Sequence, residues 1–252
     1  PLREVDYIIN SFISNDRANT ENHRHSNLIA GIVAFVPLEN GPLEVEPILK
    51  ELLSRNPPGI IKGVRRVLQG HDDPQFMLRN EFVDSVRLLS KYGLSFDICV
   101  DQSLLPQVFE LVRLFPDVSF VLDHMGKPSI RQDETNQSGS KITNESWRKN
   151  MSRLAELPNL VGIKVSGLLT EASLESWTRH DIEPYVRYVI KMFGKDRVMF
   201  GSDWPVLHLA AGGNYQRWKE VLLEILLADD DCSEDFLDRF FVKNAERVYN
   251  IN

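Results

Sequence analysis

The sequence contains few cysteines and no long hydrophobic run, and both shortages narrow what the protein can be. Its two cysteines, Cys99 and Cys232, lie far apart and show no Cys-x-x-Cys spacing, which excludes a disulfide framework and a cysteine zinc motif. No apolar stretch approaches the ~20 residues that a transmembrane helix needs, and the opening residues, PLREVDYIIN, lack the layout of a signal peptide. These features predict a soluble protein of a reducing compartment, the cytoplasm.

Positive charge is scarce as well. The chain has 29 Lys and Arg against 36 Asp and Glu, for a net charge of −7, and no basic block is long enough to form the stripe that nucleic acid or an anionic membrane requires. We therefore expect neither partner, and the sequence does not indicate an oligomeric state. With 252 residues, 42% of them hydrophobic, residues 1–252 fit one α/β barrel domain.

The sequence does contain a repeated alternation of strand and helix patterns. Short apolar runs, rich in β-branched residues, begin at Leu28, Ile60, Leu94, Val118, Leu160 and Arg197. They are continuously hydrophobic, as strands covered on both faces of a parallel sheet are. Segments with helical periodicity separate them, such as NEFVDSVRLLSKYG, whose glycine suits a helix end. The pattern predicts βα units in a parallel α/β fold.

Six strands allow two arrangements. They could form an open doubly wound sheet, or they could belong to an eight-stranded barrel whose two leading βα units are absent from this sequence. The chain has no initial methionine and opens inside a helical pattern, LREVDYIINSFI, so we expect the natural start to lie upstream. The polar segment 129–144 is expected to form a long surface loop after the fourth strand.

Ionisable side chains concentrate where the predicted strands end. In a parallel α/β fold, the carboxyl ends of the strands carry the functional groups because the rest of the sheet is committed to packing. The residues at these ends are Arg65, Arg66, Asp97, Asp101, Asp123, His124, Lys127, Lys164, Ser166, Ser202, Asp203 and Trp204. Cations are expected to outnumber the carboxylates that could pair with them, which favours an anionic ligand.

Each of these residues also has a purely structural interpretation. Asp203 could cap a turn before Trp-Pro, His124 could be a hydrogen-bonded core histidine, and Lys164 could extend from a strand end to water. Asp97 is expected to orient one of the arginines, because an unpaired buried carboxylate would be costly. Trp204 suits a substrate wall and a core position equally well.

Several motifs resemble the lactonase-type branch of the amidohydrolase superfamily, the amidohydrolase 2 group that includes sugar-acid lactonases and pyrone-dicarboxylate lactonase. They are GVRRVLQG, LSFDICV, VLDHMGKP, GIKVSGL, FGSDWPV and KNAERVY. The match runs in the same order from about Leu28 to the C-terminus, and the pair DHMGKP and GSDWP is its most specific part. The resemblance implies a (β/α)8 TIM barrel, of which six βα units are recognisable here, and hydrolysis of a cyclic ester.

The resemblance also assigns roles by position. It implies that Asp203 is the general base that activates water and that His124 lies beside the substrate carbonyl. Substrate binding is assigned to other strand-end residues: Arg65, Arg66, Lys127, Lys164 and Trp204. Of these, Arg66 stands where many members have histidine, and the two lysines could hold an anionic lactone.

One feature of the family is missing from this sequence. Members begin with a strand that ends in a His-x-His pair, followed by a strand that ends in an acidic residue. The sequence has HRH at His23–His25, but these histidines precede the strand from Leu28 and so belong at its amino end, the wrong face for a barrel site. No cofactor is therefore certain, and the metal ligands are unknown. One divalent ion, zinc, is expected if an upstream His-x-His pair is supplied.

Taken together, these observations predict a hydrolase that opens the lactone of a sugar acid or small carboxylate with water activated by Asp203. A serine nucleophile is not needed, and the sequence has no Gly-x-Ser-x-Gly motif. The partner is then a small anionic or sugar-derived lactone. Two alternatives stay open: a metal-dependent decarboxylase of the same superfamily, and a catalytically inactive barrel that acts as a binding protein.

Overall fold

The fold is built on one parallel sheet. The computed structural model describes residues 2–13, 29–130 and 145–251, so His23–His25 and nearly all of the predicted loop lie outside the described residues. Every predicted strand is confirmed. The strands are β1 (Ile32–Phe35), β2 (Ile61–Val67), β3 (Ser95–Cys99), β4 (Phe120–Leu122), β5 (Leu160–Val165) and β6 (Val198–Phe200).

The strand order decides between the two arrangements. The strands lie in the order β1-β2-β3-β4-β5-β6, and each pairs in parallel with the next. A doubly wound sheet would reverse its direction of growth near the middle, whereas barrel strands follow one another around the sheet. The chain therefore has the α/β arrangement of consecutive βα units of the TIM-barrel type.

Helices precede the first strand, connect the strands and follow the last one. They are α1 (Leu2–Phe12), α2 (Pro42–Leu53), α3 (Asn80–Tyr92), α4 (Leu105–Leu114), α5 (Glu145–Ala155), α6 (Arg179–Phe193), α7 (Tyr215–Leu227), α8 (Glu234–Asp238) and α9 (Asn244–Val248). A π-helical turn, Arg239–Lys243, joins α8 to α9. Among the described residues, no helix combines the length and apolarity needed to cross a membrane.

Helix α3 illustrates why these segments are helical. Phe82, Val86 and Leu89 recur at helical spacing and are fully buried, so one face of the helix packs on the sheet. The helix ends at Gly93, whose φ of 63° is left-handed and whose N–H bonds to carbonyls of the last turn. Glycine adopts this conformation at little cost.

Strand β3 shows how the sheet separates two environments. All five of its residues are buried, and successive side chains point to opposite faces. Phe96 lies in a row of rings with Phe82 of α3 and Phe120 of β4, with ring centroids 6.0 Å apart in each case, so this face meets the helices. Asp97 therefore points to the opposite face, the interior side of the sheet, where the polar groups collect.

Candidate active site

Asp203 and His124 meet at the carboxyl end of the sheet. Asp203 follows β6 and His124 follows β4, and β5 lies between these strands. The His124 Nε2 and Asp203 Oδ1 atoms are 3.5 Å apart, and each side chain is 9% exposed. Both residues have left-handed backbones, with φ of 54° and 55°. Such conformations are uncommon for side-chain-bearing residues and concentrate at functional sites.

Both ring nitrogens of His124 make polar contacts with neighbouring side chains. Nδ1 lies 2.9 Å from the Ser166 hydroxyl, and Nε2 lies 3.4 Å from Nη2 of Arg65. Behind the ring is Gly167, with φ of 72°, where an added Cβ would be 2.7 Å from the His124 Cβ. Burial lowers the pKa of His124 to about 4, so the imidazole is neutral at physiological pH.

Asp203 has the properties of a base. Burial raises its pKa to about 6, despite the opposing charges of Lys127 and Arg65. Its Oδ2 atom is buried and has no hydrogen-bond partner among the described residues. An unpartnered carboxylate oxygen with a raised pKa accepts a proton more readily than an ordinary aspartate does.

Four charged residues of alternating sign extend from the site into the interior, and a tyrosine hydroxyl binds the last of them. We refer to these five residues, Arg65, Asp123, Lys164, Asp97 and Tyr249, as the interior charge array. Arg65 Nε lies 3.0 Å from Asp123 Oδ2, and Lys164 Nζ lies 2.8 Å from Asp123 Oδ1. The same ammonium pairs with Asp97 Oδ2 at 2.5 Å, and the Tyr249 hydroxyl donates to that oxygen at 2.7 Å.

The pKa shifts of Asp123 and Lys164 favour their charged forms, whereas burial raises the pKa of Asp97 above its usual value. Burial alone would raise the pKa of Asp123, but Lys164 and Arg65 hold it below its usual value. Burial likewise opposes the charge on Lys164, but the two carboxylates it bridges raise its pKa well above the ordinary lysine value. Opposite charges at short range explain both shifts.

The other two predicted cations are also paired, and the carboxylates involved were missed at the sequence level. Arg66 forms an ion pair with Glu39 at 2.7 Å, and Lys127 pairs with Glu171 at 3.2 Å. Both glutamates lie in segments just after a strand, β1 and β5, and that position is the one signal that could have found them. The expected surplus of cations at the strand ends is therefore wrong.

The structure also defines the surroundings of three further strand-end residues. Asp97 binds Lys164 and Tyr249 rather than an arginine, because the Arg65 guanidinium reaches Asp123 instead. Trp204 is 68% exposed, which rules out a core position and leaves a place at the surface beside Asp203. Asp101 accepts hydrogen bonds from the backbone N–H groups of Ser103 and Gly70 and so holds the turn after β3.

The site contains donor atoms of the kinds that bind a divalent metal. Donor atoms of Cys99, Asp123 and His124 lie within 4.8 Å of one another, a spacing that could hold an ion. Both oxygens of Asp123, however, face cations, and the Arg65 guanidinium lies beside His124 Nε2. With the Asp123 oxygens taken by cations, only Cys99 and His124 of this group are left as donors, fewer than the three protein ligands that zinc sites use.

Comparison with known proteins places the chain in a family. Residues 14–251 match the family model described as amidohydrolase, and the chain belongs to that family. It is 31% identical over 235 residues to an L-fucono-1,5-lactonase of Burkholderia ambifaria, covering 90% of this chain and 72% of the relative. It is 28% identical over 241 residues to an L-rhamnono-gamma-lactonase of Scheffersomyces stipitis, covering 89% and 70%.

Solved structures agree with the fold. A Burkholderia multivorans amidohydrolase with bound zinc is 28% identical, with a TM-score of 0.77 over 88% of this chain and 74% of that one. A probable 2-pyrone-4,6-dicarboxylic acid hydrolase from Acinetobacter baumannii, with citric acid bound, is 16% identical, with a TM-score of 0.66 over 86% and 72%. The second likeness concerns the fold alone.

Proposed function

We propose that the protein hydrolyses the lactone of a sugar acid and that Asp203 is its general base. The observation that carries the proposal is the buried Asp203 carboxylate, which has one unpartnered oxygen, lies 3.5 Å from His124 and has a pKa raised to about 6. A base is most useful when its pKa lies near the working pH. The sugar lactonases among the relatives support the substrate class.

In the proposed reaction, these residues activate water and stabilise the developing charge. Asp203 takes a proton from water, and the oxygen of that water attacks the lactone carbonyl. Arg65 stabilises the resulting oxyanion, and His124 orients the Arg65 guanidinium: Nη2 of Arg65 donates to the unprotonated Nε2 of His124, whose proton lies on Nδ1 and points to the Ser166 hydroxyl. Stabilising this charge is usually the largest catalytic contribution in acyl transfer. The ring C–O bond then breaks, the alkoxide takes the proton from Asp203, and the open hydroxy acid leaves.

The charge balance favours a neutral lactone over an anionic one. The four cations near the site are paired with carboxylates of Glu39, Asp97, Asp123 and Glu171. With Asp203 ionised, these groups carry no net positive charge for a substrate carboxylate. A polyhydroxylated lactone can instead exchange hydrogen bonds with the exposed edges of the pairs.

The test is hydrolysis of a panel of neutral aldonolactones, including L-fucono-1,5-lactone and L-rhamnono-gamma-lactone. Asp203→Asn keeps the shape of the side chain but removes the base, so we expect kcat to fall about 1000-fold. Asp230→Asn, which changes an exposed carboxylate after α7, is the matched control and should behave as the wild type. Undiminished turnover by Asp203→Asn would remove Asp203 from its role.

A second experiment tests whether turnover requires a bound divalent metal. Because the described residues leave a zinc site incomplete, we expect turnover to survive dialysis against a strong chelator. Enzyme dialysed without chelator serves as the control. Loss of activity with chelator and recovery with added zinc would contradict a mechanism in which Asp203 alone activates water.

A further inference from the structure

The interior charge array connects the site to the end of the chain. Tyr249 follows α9, and its hydroxyl holds Asp97, which pairs with Lys164. We propose that Lys164 is a positioning residue: by bridging Asp97 and Asp123, its ammonium fixes Asp123 and, through it, the Arg65 guanidinium that faces His124. The inference rests on the proposed function in one respect, the use of Arg65 to stabilise the substrate oxyanion.

Lys164 is what allows two buried carboxylates to coexist. The side chains of Asp97 and Asp123 are both 0% exposed. Without a cation between them, their repulsion and the loss of hydration would favour protonation of one of them. With Lys164 present, the charges alternate in sign from Arg65 to Asp97, and each contacts an opposite one.

Arg65 depends on the ionised Asp123. Its Nε atom contacts Asp123 at 3.0 Å, and its side chain is 35% exposed, so packing alone does not fix it. The neighbouring Cys99 thiol offers no substitute charge, because burial raises the pKa of that thiol. An Arg65 that loses its carboxylate would move away from His124, and small displacements of this kind are costly to catalysis.

The experiment uses Lys164→Met, which keeps the side-chain length but removes the charge, and the double variant Asp97→Asn with Lys164→Met. The matched control is Lys62→Met, which changes a strand lysine whose Nζ donates to the Asn250 carbonyl at 2.8 Å. Each protein is measured for Tm, for kcat and KM on the best neutral lactone, and for the Arg65 Nε–H resonance in 15N-arginine spectra. An Arg65→Lys sample assigns that resonance.

For Lys164→Met we expect kcat to fall about 100-fold with little change in KM, because the misplaced group acts on the transition state. The Arg65 resonance should lose its protection from exchange with water. In the double variant the uncompensated charge of Asp97 is gone, so Tm should recover, but kcat should stay low because Asp123 still lacks its second anchor. Lys62→Met should match the wild type in kcat and in the Arg65 resonance.

A double variant with wild-type kcat and an intact Arg65 resonance would overturn the inference, since Lys164 would then only neutralise Asp97. If Lys164→Met does not fold, the double variant decides. The spectra also separate this inference from the proposed function. A wild-type protein that hydrolyses no lactone would defeat the function, while the Arg65 resonance in the variants would still support or refute the positioning by Lys164.

Discussion

At the scale of single residues, the contrast between Asp203 and Asp123 shows how surroundings decide what a carboxylate can do. Both follow strands at the same edge of the sheet and both are largely buried. Asp123 has a cation at each oxygen, which lowers its pKa, whereas Asp203 has an unpartnered oxygen and a raised pKa. A carboxylate stabilised as strongly as Asp123 would be a poor base.

The raised pKa of Asp203 predicts the pH dependence. Activity needs the carboxylate, so kcat/KM for a neutral lactone should rise with pH through about 6 and level off above it. His124, with a pKa of about 4, stays neutral across this step and should not contribute to it. The measurement is a rate profile at constant ionic strength. An inflection near the ordinary aspartate pKa of about 4 would contradict the assignment.

At the scale of secondary-structure elements, the end of β5 supports the turn after β4. Gly167 lies against His124, and a methyl group there would overlap the His124 side chain. We expect Gly167→Ala to push His124 away from Asp203 and to lower kcat about 100-fold. Gly93→Ala is the control, because Gly93 also has positive φ but has open space around its Cα. Each variant should lose about 1–2 kcal/mol of stability from backbone strain, and Gly167→Ala should lose more because its methyl group also displaces the buried His124.

Comparing kcat and Tm in these two variants separates the effect of backbone strain from the effect of displacing His124. Equal losses of activity in Gly167→Ala and Gly93→Ala would mean that general destabilisation is responsible. Wild-type activity in Gly167→Ala would mean that the position of His124 tolerates the added methyl group. The predicted pattern is a lower Tm in both variants with loss of activity in Gly167→Ala alone.

The strands and the meeting of Asp203 with His124 could be predicted from the sequence, because parallel strands bring their carboxyl ends to one edge wherever the pattern is clear. The carboxylates and the tyrosine that bind the strand-end side chains could not be predicted in this way. Glu39 and Glu171 lie in connecting segments without periodicity, and Tyr249 reaches Asp97 from the end of the chain. Periodicity identifies the face of an element, but the partner of a side chain depends on how distant segments pack.

The C-terminal helix shows the same limit. Residues 233–249, SEDFLDRFFVKNAERVY, have a helical pattern in the sequence, and Ser233 caps the segment by accepting a hydrogen bond from the Phe236 N–H at 3.2 Å. The segment is interrupted by the π-helical turn Arg239–Lys243. One inserted residue changes the register between the two ends of a helix, and hydrophobic periodicity averaged over the segment does not detect it.

At the scale of the whole molecule, the net charge of the chain and the charge balance of the site both disfavour an anionic substrate. The chain carries a net charge of −7, and its site pairs each of four cations with a carboxylate. The net charge of the protein therefore gives no long-range attraction to an anion, and the four strand-end cations of the described site are all paired with carboxylates. A polyhydroxylated, uncharged substrate experiences neither disadvantage.

This balance predicts how activity depends on salt. For a neutral aldonolactone, kcat/KM should not change as sodium chloride is raised, because no charge is attracted or repelled during encounter. A lactone that carries a carboxylate should be a poorer substrate, and its kcat/KM should increase with salt as the repulsion is screened. The measurement compares two lactones of equal ring size at the same pH. A preference for the anionic lactone that weakens with salt would show that the site presents positive charge, contrary to the pairing of Arg66 with Glu39 and of Lys127 with Glu171.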